Sequence, residues 1–161
     1  MTFTPHTLHR ELDLELDRTV DVPPELVWRA WTEPELLTQW FAPKPYETPV
    51  VEVDLRPGGI FRTVMRSPEG DEFDGAGCFL EVIPNERLVW TSALGPGFRP
   101  QSSDLPFTAI IELQPTPSGG TRYRAIAMHQ SPEDSQKHAD MGFVEGWGAT
   151  LDQLVALVKT L

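Results

Sequence analysis

The sequence is poor in cysteine and in positive charge, and each shortage excludes classes of protein. Its 161 residues include one cysteine, Cys78, so no disulfide can form within the chain and a cysteine-rich metal site is excluded. Lysine and arginine number 13 against 24 acidic residues, which leaves a formal net charge of −11 and no basic cluster. Such a charge repels phosphate groups, so nucleic acids and anionic membrane surfaces are not expected as partners.

Long apolar runs are absent too. No stretch of about eighteen apolar residues occurs, and the N-terminus lacks the basic segment and apolar run of a secretion signal. Together with the single thiol, these features predict a cytoplasmic protein without a membrane span. Cys78 has no neighbouring motif that would activate it, so it is expected to be buried and inert.

The composition is that of an ordinary globular protein, with 40% hydrophobic and 23% charged residues. There is no internal repeat and no low-complexity linker, and the 16 prolines are spread between short apolar segments. A single domain over 1–161 is therefore predicted, since this length suffices for one core. Within it, residues 1–11 are expected to form a flexible N-terminal segment.

The predicted order of elements is one strand, two short helices, six strands and one long helix. In the first strand, 12–22, leucine alternates with acidic residues at the period of two typical of a strand. Pro24 opens the first helix, and Thr32 is expected to cap the second with Glu35 reaching back. The other strands are predicted at 50–56, 60–67, 72–83, 87–94, 106–114 and 121–129. The Gly- and Pro-rich stretch 95–106 is expected to be a mobile loop.

The segment from 131 to the end predicts one long helix. Ser131 is the expected N-cap and Pro132 the first helical residue. The apolar stripe that the sheet must cover consists of Phe143, Val144, Trp147, Leu151, Leu154 and Val158. Gly142, Gly146 and Gly148 weaken such a helix, so close packing, a bend or space for a ligand is expected to offset them.

Five motifs in register over 12–161 carry a resemblance to a known superfamily. They are VWRAWT at 27–32, PELLTQWF at 34–41, RPGG at 56–59, ERLV at 86–89, and GW at 146–147 with LD at 151–152. These motifs resemble the START-like (SRPBCC) superfamily and, more narrowly, are similar to homologues of the activator of the heat-shock-protein ATPase. The resemblance implies an α+β helix-grip fold, in which a curved antiparallel sheet of about seven strands wraps around a long C-terminal helix. It also implies a cavity, while the superfamily's carriers, cyclases, hydrolases and chaperone activators leave the function open.

Aromatic and methionine side chains are the candidates for the cavity wall. On the last strand, Arg122 and Arg124 are expected to face water, which turns the intervening side chains toward the helix. The residues predicted to contact a ligand are Trp40, Phe61, Met65, Phe79, Trp90, Phe107, Tyr123, His129, Met141 and Trp147. Such a set more often forms a packed core, and the sequence leaves both interpretations open.

Two polar residues in this region are candidates for chemistry. His129 can accept or donate a proton near neutral pH, with a structural histidine as the alternative. Asp140 lies two helical turns before Trp147 on nearly the same face, where it either orients His129 for acid–base catalysis or sits in water. The four histidines are scattered, so no metal site is predicted, and no cofactor motif is present.

Three functions follow from these features. The foremost is binding of a small hydrophobic or aromatic molecule, without enzymatic activity. The first alternative is a cyclase- or hydrolase-type enzyme that acts on an aromatic or polyketide-like substrate through His129. The second is a co-chaperone-like activator of a partner ATPase, which is expected less because the chain has no counterpart of the extra N-terminal domain of the eukaryotic activators. A homodimer is left open.

Overall fold

The computed structural model describes residues 2–161, in which nine strands and four α-helices follow one another. The strands are β1 (Asp13–Val20), β2 (Glu47–Val53), β3 (Ile60–Arg66), β4 (Glu72–Ile83), β5 (Arg87–Thr91), β6 (Leu94–Gly95), β7 (Arg99–Pro100), β8 (Phe107–Pro115) and β9 (Thr121–His129). The helices are α1 (Pro24–Thr32), α2 (Pro34–Trp40), α3 (Pro132–Asp140) and α4 (Phe143–Val158). A short 3-10 turn, Pro96–Phe98, joins β6 to β7.

Seven of the strands form one antiparallel sheet in the order β1-β9-β8-β5-β4-β3-β2. The first strand pairs with the last, so that Leu14 lies opposite Ala127 and Leu16 opposite Ala125. Strands β6 and β7 make a separate small hairpin that begins at Leu94, the last residue of the predicted strand 87–94, and extends into the stretch 95–106 expected to be a loop. The predicted α+β helix-grip fold, with about seven antiparallel strands and two short helices after the first, is confirmed.

Helix α4 packs on the inner face of the sheet because its apolar side chains recur at the helical period. Leu151, Leu154 and Val158 are at most 1% exposed, and they share one hydrophobic core with the inward side chains of β8 and β9. Burial of each contributes about 1.5–3 kcal/mol to folding. Val144 was also predicted to lie in this stripe but is 56% exposed, so this prediction is wrong.

The C-terminal helix is interrupted, contrary to the prediction of one continuous helix. Helix α3 ends at Asp140 and α4 begins at Phe143, and Gly142 between them has a φ of 88°, in the left-handed region that favours glycine. Ser131 caps α3 as predicted, since its side-chain oxygen accepts a hydrogen bond from the Asp134 backbone N–H at 3.1 Å. The break lets α3 pack across the end of β9 instead of extending the line of α4.

The predicted capping box at the start of α2 is also wrong. Thr32 is the last residue of α1, and its Oγ1 donates to the Trp28 carbonyl at 2.8 Å. A threonine within a helix commonly makes this bond to the carbonyl four residues earlier. Glu33 therefore occupies the N-cap position of α2 without a side-chain cap, and Pro34 begins that helix.

Residues 2–12 lie against the outer face of the sheet, opposite the core. The His6 backbone N–H donates to Glu112 Oε2 at 2.9 Å, and Arg124 Nη1 donates to Glu112 Oε1 at 2.7 Å. Arg87 Nη1 donates to the Thr4 carbonyl at 2.8 Å. These contacts leave Glu112 only 2% exposed. Flexibility of 1–11 stays a prediction, and Met1 lies outside the described residues.

Candidate ligand pocket

A pocket of about 600 Å³ lies between the sheet and helices α2 and α4. Its aromatic wall consists of Trp31, Trp40, Phe41, Tyr46, Phe61, Phe73, Trp90, Phe107, Tyr123, Phe143 and Trp147. Among the described residues that line it, none is Asp, Glu, Lys or Arg, and His138 is the only titratable group besides the two tyrosines. A molecule in this pocket therefore contacts apolar rings and a small number of neutral polar atoms.

Alternation along β3 explains part of the wall. Phe61, Thr63 and Met65 are two residues apart, so all three face the same side of the sheet and line the pocket. Opposite Thr63 on β4 lies Gly75, where an added Cβ would meet no atom within 4 Å. The pocket thus owes some of its volume to a glycine at a strand position that would otherwise carry a side chain.

The aromatic rings of the wall contact one another in a continuous series. The ring centroids of Phe41 and Phe61 are 5.8 Å apart, those of Phe61 and Trp90 4.9 Å, and those of Trp90 and Phe107 5.5 Å. Phe107 then approaches Trp147 of α4 at 6.2 Å, which links the sheet to the helix. All four contacts are T-shaped, a geometry that holds each ring in a defined orientation.

The indole N–H groups of the pocket differ in their partners. Trp31 Nε1 donates to the Tyr123 hydroxyl at 3.0 Å, and Trp40 Nε1 donates to the Ala30 carbonyl at 2.9 Å. Burial raises the pKa of Tyr123 far above its usual value, so its phenol stays protonated and keeps a hydrogen to donate. Trp90 Nε1 is buried and has no hydrogen-bond partner among residues 2–161.

A pair of histidines adjoins this wall. His129 Nδ1 donates to the Leu12 carbonyl at 2.8 Å, because a carbonyl oxygen can only accept. With both rings neutral, His129 Nε2 must then accept, and the His138 Nδ1–H donates to it at 2.8 Å. Burial, together with the neighbouring His129, lowers the pKa of His138 to about 4. At neutral pH the His138 ring is therefore uncharged, and its Nε2 carries a lone pair.

Eight of the ten predicted ligand-contact residues line the pocket, namely Trp40, Phe61, Met65, Trp90, Phe107, Tyr123, Met141 and Trp147. Met141 is 68% exposed and therefore lies at the mouth. Phe79 is fully buried behind Phe61, with 5.2 Å between the ring centroids. His129 lies behind His138 and is not part of the wall. A role of these residues in ligand binding stays a prediction.

Asp140 is not brought to His129, and of the two alternatives for this residue the structure has the one in water. Asp140 is exposed at the end of α3, and its Oδ1 accepts a hydrogen bond from the Gln136 side chain at 2.8 Å. The alternative that Asp140 orients His129 assumed a continuous helix, whereas the turn at Gly142 separates Asp140 from the stripe of α4. The Leu12 carbonyl and His138 are the hydrogen-bond partners of His129 instead.

Sequence reasoning missed His138 of the pocket wall, and it also missed the aromatic wall residues Trp31, Phe41, Tyr46, Phe73 and Phe143. The tight connection between β9 and α3, with Ser131 as cap, turns the helix back over the strand end and places His138 beside His129. The sequence signal for this contact was the order of a strand, an N-cap residue and a helix, with His129 in the strand and His138 in the helix. It is weak because the rotation of α3 decides which of its faces meets the strand.

Three further observations concern the described residues. No cluster of three or more His, Cys, Asp or Glu side chains able to hold a metal ion occurs within 2–161. Burial raises the pKa of the Cys78 thiol, which disfavours the reactive thiolate. None of the helices in the same residues is long and apolar enough to cross a membrane.

Comparison with known protein families assigns the chain to one of them. A family model described as "Activator of Hsp90 ATPase homolog 1-like protein" matches residues 21–159, which is most of its length. The chain belongs to this family. Membership in the Activator of Hsp90 ATPase homolog 1-like family is compatible with a ligand-binding or a co-chaperone-type role, and it identifies neither a ligand nor a partner. A comparison with curated proteins gave no match.

Solved structures of family-like proteins share the fold. Protein NE0264 from Nitrosomonas europaea is 55% identical, with a TM-score of 0.91, and the match covers 95% of this chain and 97% of that one. Protein Ms6760 from Mycobacterium smegmatis is 25% identical, with a TM-score of 0.77 and coverage of 92% and 91%. An AHSA1-like protein from Aeromonas hydrophila is 23% identical, with a TM-score of 0.68 and coverage of 92% and 93%, a likeness of fold alone.

Proposed function

We propose that this protein binds a small, uncharged, predominantly aromatic molecule in the pocket between the sheet and α4. The observation that carries the proposal is the composition of the wall, which has eleven aromatic residues and no formally charged side chain among the described residues that line it. Its volume of about 600 Å³ is in the range of small-molecule sites, which are mostly apolar with a few polar atoms.

The absence of charged residues from the described wall favours a neutral ligand. A charged molecule would lose its hydration on entry without gaining an ion pair, which is costly. An apolar ring gains about 25 cal/mol for each Å² removed from water and can stack against Phe107 and Trp147. The net charge of −11 disfavours anions further.

Naphthalene is a suitable first probe because it is neutral, aromatic and free of polar atoms. We expect equilibrium dialysis to give a dissociation constant of roughly 10–100 μM, a value ordinary for a ligand of this size. Gly146→Leu should weaken binding at least tenfold, since Gly146 lines the pocket and an added side chain extends into open space. Ala156→Leu places the same side chain on the exposed side of α4 and should leave binding unchanged. Failure of wild-type protein to bind, or equal effects of both variants, would contradict the proposal.

A second candidate function is acid–base catalysis of the hydrolase or cyclase type at the histidine pair. It is favoured by the contact of His129 with His138, because a pocket base whose other ring nitrogen is held by a hydrogen bond is a common catalytic arrangement. In this case His138 acts on the substrate and His129 is a positioning residue. Hydrolysis of 2-naphthyl acetate should then fall in both His138→Phe and His129→Phe, and a rate no higher than that in buffer removes the candidate.

The family membership adds a third candidate, stimulation of an Hsp90-type ATPase. Phe73, Met141 and Val144 are each more than half exposed, and such apolar side chains are available for contact with a protein. The ATP turnover of a purified Hsp90-type chaperone should then increase with this protein and increase less with Val144→Ser. A turnover unchanged by a molar excess of the protein removes this candidate.

A further inference from the structure

His138 Nε2 is an unused acceptor in the pocket wall. With the His129 ring neutral, the Leu12 carbonyl fixes its proton on Nδ1, and His138 then donates through its own Nδ1. His138 Nε2 is left with a lone pair and makes no hydrogen bond to any of residues 2–161, while the ring forms part of the pocket wall. Phe107 lies 4.8 Å from His138 between ring centroids, so an aromatic frame that packs against Phe107 lies beside His138.

We infer that the ligand carries a hydroxyl group on an uncharged aromatic frame, and that this hydroxyl donates to His138 Nε2. This inference rests on the proposed function and adds to it the polar contact by which the ligand is recognised. The apolar frame contacts the rings around Phe107, while the hydroxyl group contacts the unpaired nitrogen atom. A site with such an unpaired group discriminates against molecules that lack the matching atom.

Naphthalene and two of its derivatives test this contact. Naphthalene has no oxygen function, 2-naphthol has the hydroxyl group, and 2-acetylnaphthalene has only an acceptor oxygen. We expect His138→Phe to weaken the binding of 2-naphthol by about three- to tenfold, the usual worth of one hydrogen bond, and to leave the binding of naphthalene within about twofold. Because 2-acetylnaphthalene cannot donate a hydrogen bond, His138→Phe should change its binding by the same factor as that of naphthalene.

Control variants distinguish a lost hydrogen bond from altered shape. Trp147→Phe shortens an indole of the wall without touching His138 Nε2, so it should change the binding of naphthalene and of 2-naphthol by the same factor. His138→Gln restores both a donor toward His129 and an acceptor oxygen, so it should recover part of the 2-naphthol affinity that His138→Phe loses.

The outcomes separate this inference from the proposed function. If none of the neutral probes binds to wild-type protein, the proposed function fails and the inference fails with it. If naphthalene binds but each variant changes all three probes equally, the pocket is an apolar site and only the inference is overturned. Tighter binding of 2-naphthoate than of 2-naphthol would also overturn it, because the site would then prefer an anion.

Discussion

Gly146 allows the open space in the pocket to be tested through the stability of α4. It is the fourth residue of that helix and lines the pocket, and a Cβ added there would meet no atom within 4 Å. Alanine is more favourable than glycine in a helix by about 0.5–1 kcal/mol, because glycine loses more backbone freedom on folding. We therefore expect Gly146→Ala to raise the free energy of unfolding by about that amount and the melting temperature by about 1–4 °C.

The two neighbouring glycines supply internal comparisons. Gly142 has a φ of 88°, so Gly142→Ala should lower the free energy of unfolding by roughly 1–2 kcal/mol. Gly148 is limited by contact instead, since its added Cβ would lie 3.1 Å from Arg18 Nη2, and the helix gain of Gly148→Ala should be offset by displacement of that side chain. The three glycines thus correspond to a bend, a cavity and a close contact.

Urea unfolding followed by circular dichroism, together with thermal melts at the same pH, measures all three changes. The expected order of stability places Gly146→Ala above wild type, Gly148→Ala near it and Gly142→Ala below it. A loss of stability in Gly146→Ala would refute the reasoning, because it would mean that the space beside α4 is occupied. Equal effects of the three substitutions would refute it as well.

Three further predictions concern buried polar groups. The pKa of His138, about 4 in the folded protein, is below its ordinary value of 6.5, so the unfolded chain takes up the proton first and stability falls as the pH drops through this window. Wild type should lose roughly 1–3 kcal/mol more than His138→Gln between pH 7 and pH 4 in urea unfolding, and equal losses would contradict the buried neutral ring. Tyr123→Phe removes the acceptor of Trp31 Nε1 and should lower the free energy of unfolding by about 1–3 kcal/mol. The same substitution should cost less when Trp31→Phe is already present, and additive costs would argue against the hydrogen bond. Glu112→Ala breaks the buried ion pair with Arg124 and should lower the free energy of unfolding by about 2–4 kcal/mol. Glu52→Ala, at an exposed ion pair, should have a much smaller effect, and a reversed order would contradict the burial of Glu112.

The sheet could be predicted because its signals are local. Alternation and turn residues located β4 at 72–83 and β9 at 121–129, the bounds that the structure has. Strand β2 was predicted at 50–56 and instead spans Glu47–Val53, because Asp54 and Arg56 belong to the turn that leads into β3. The position of a strand end depends on which neighbour supplies its hydrogen bonds, and the sequence does not show that neighbour.

The polar chemistry of the pocket could not be predicted, because it depends on residues that are distant in sequence. The hydrogen bond between Trp31 and Tyr123 spans 92 positions, and no periodicity records it. The place of His138 depends on the tight connection between β9 and α3, a backbone feature that a pattern of apolar residues does not show. Which indole lacks a partner is likewise a property of the assembled wall, as the contrast between Trp31 and Trp90 shows.

The distribution of tryptophan gives the protein a built-in optical reporter. Four of its five indoles, those of Trp31, Trp40, Trp90 and Trp147, line the pocket. The intrinsic emission therefore comes mainly from rings that an incoming compound would touch, and collections of unlabelled, non-fluorescent molecules can be screened by quenching or spectral shift without a dye.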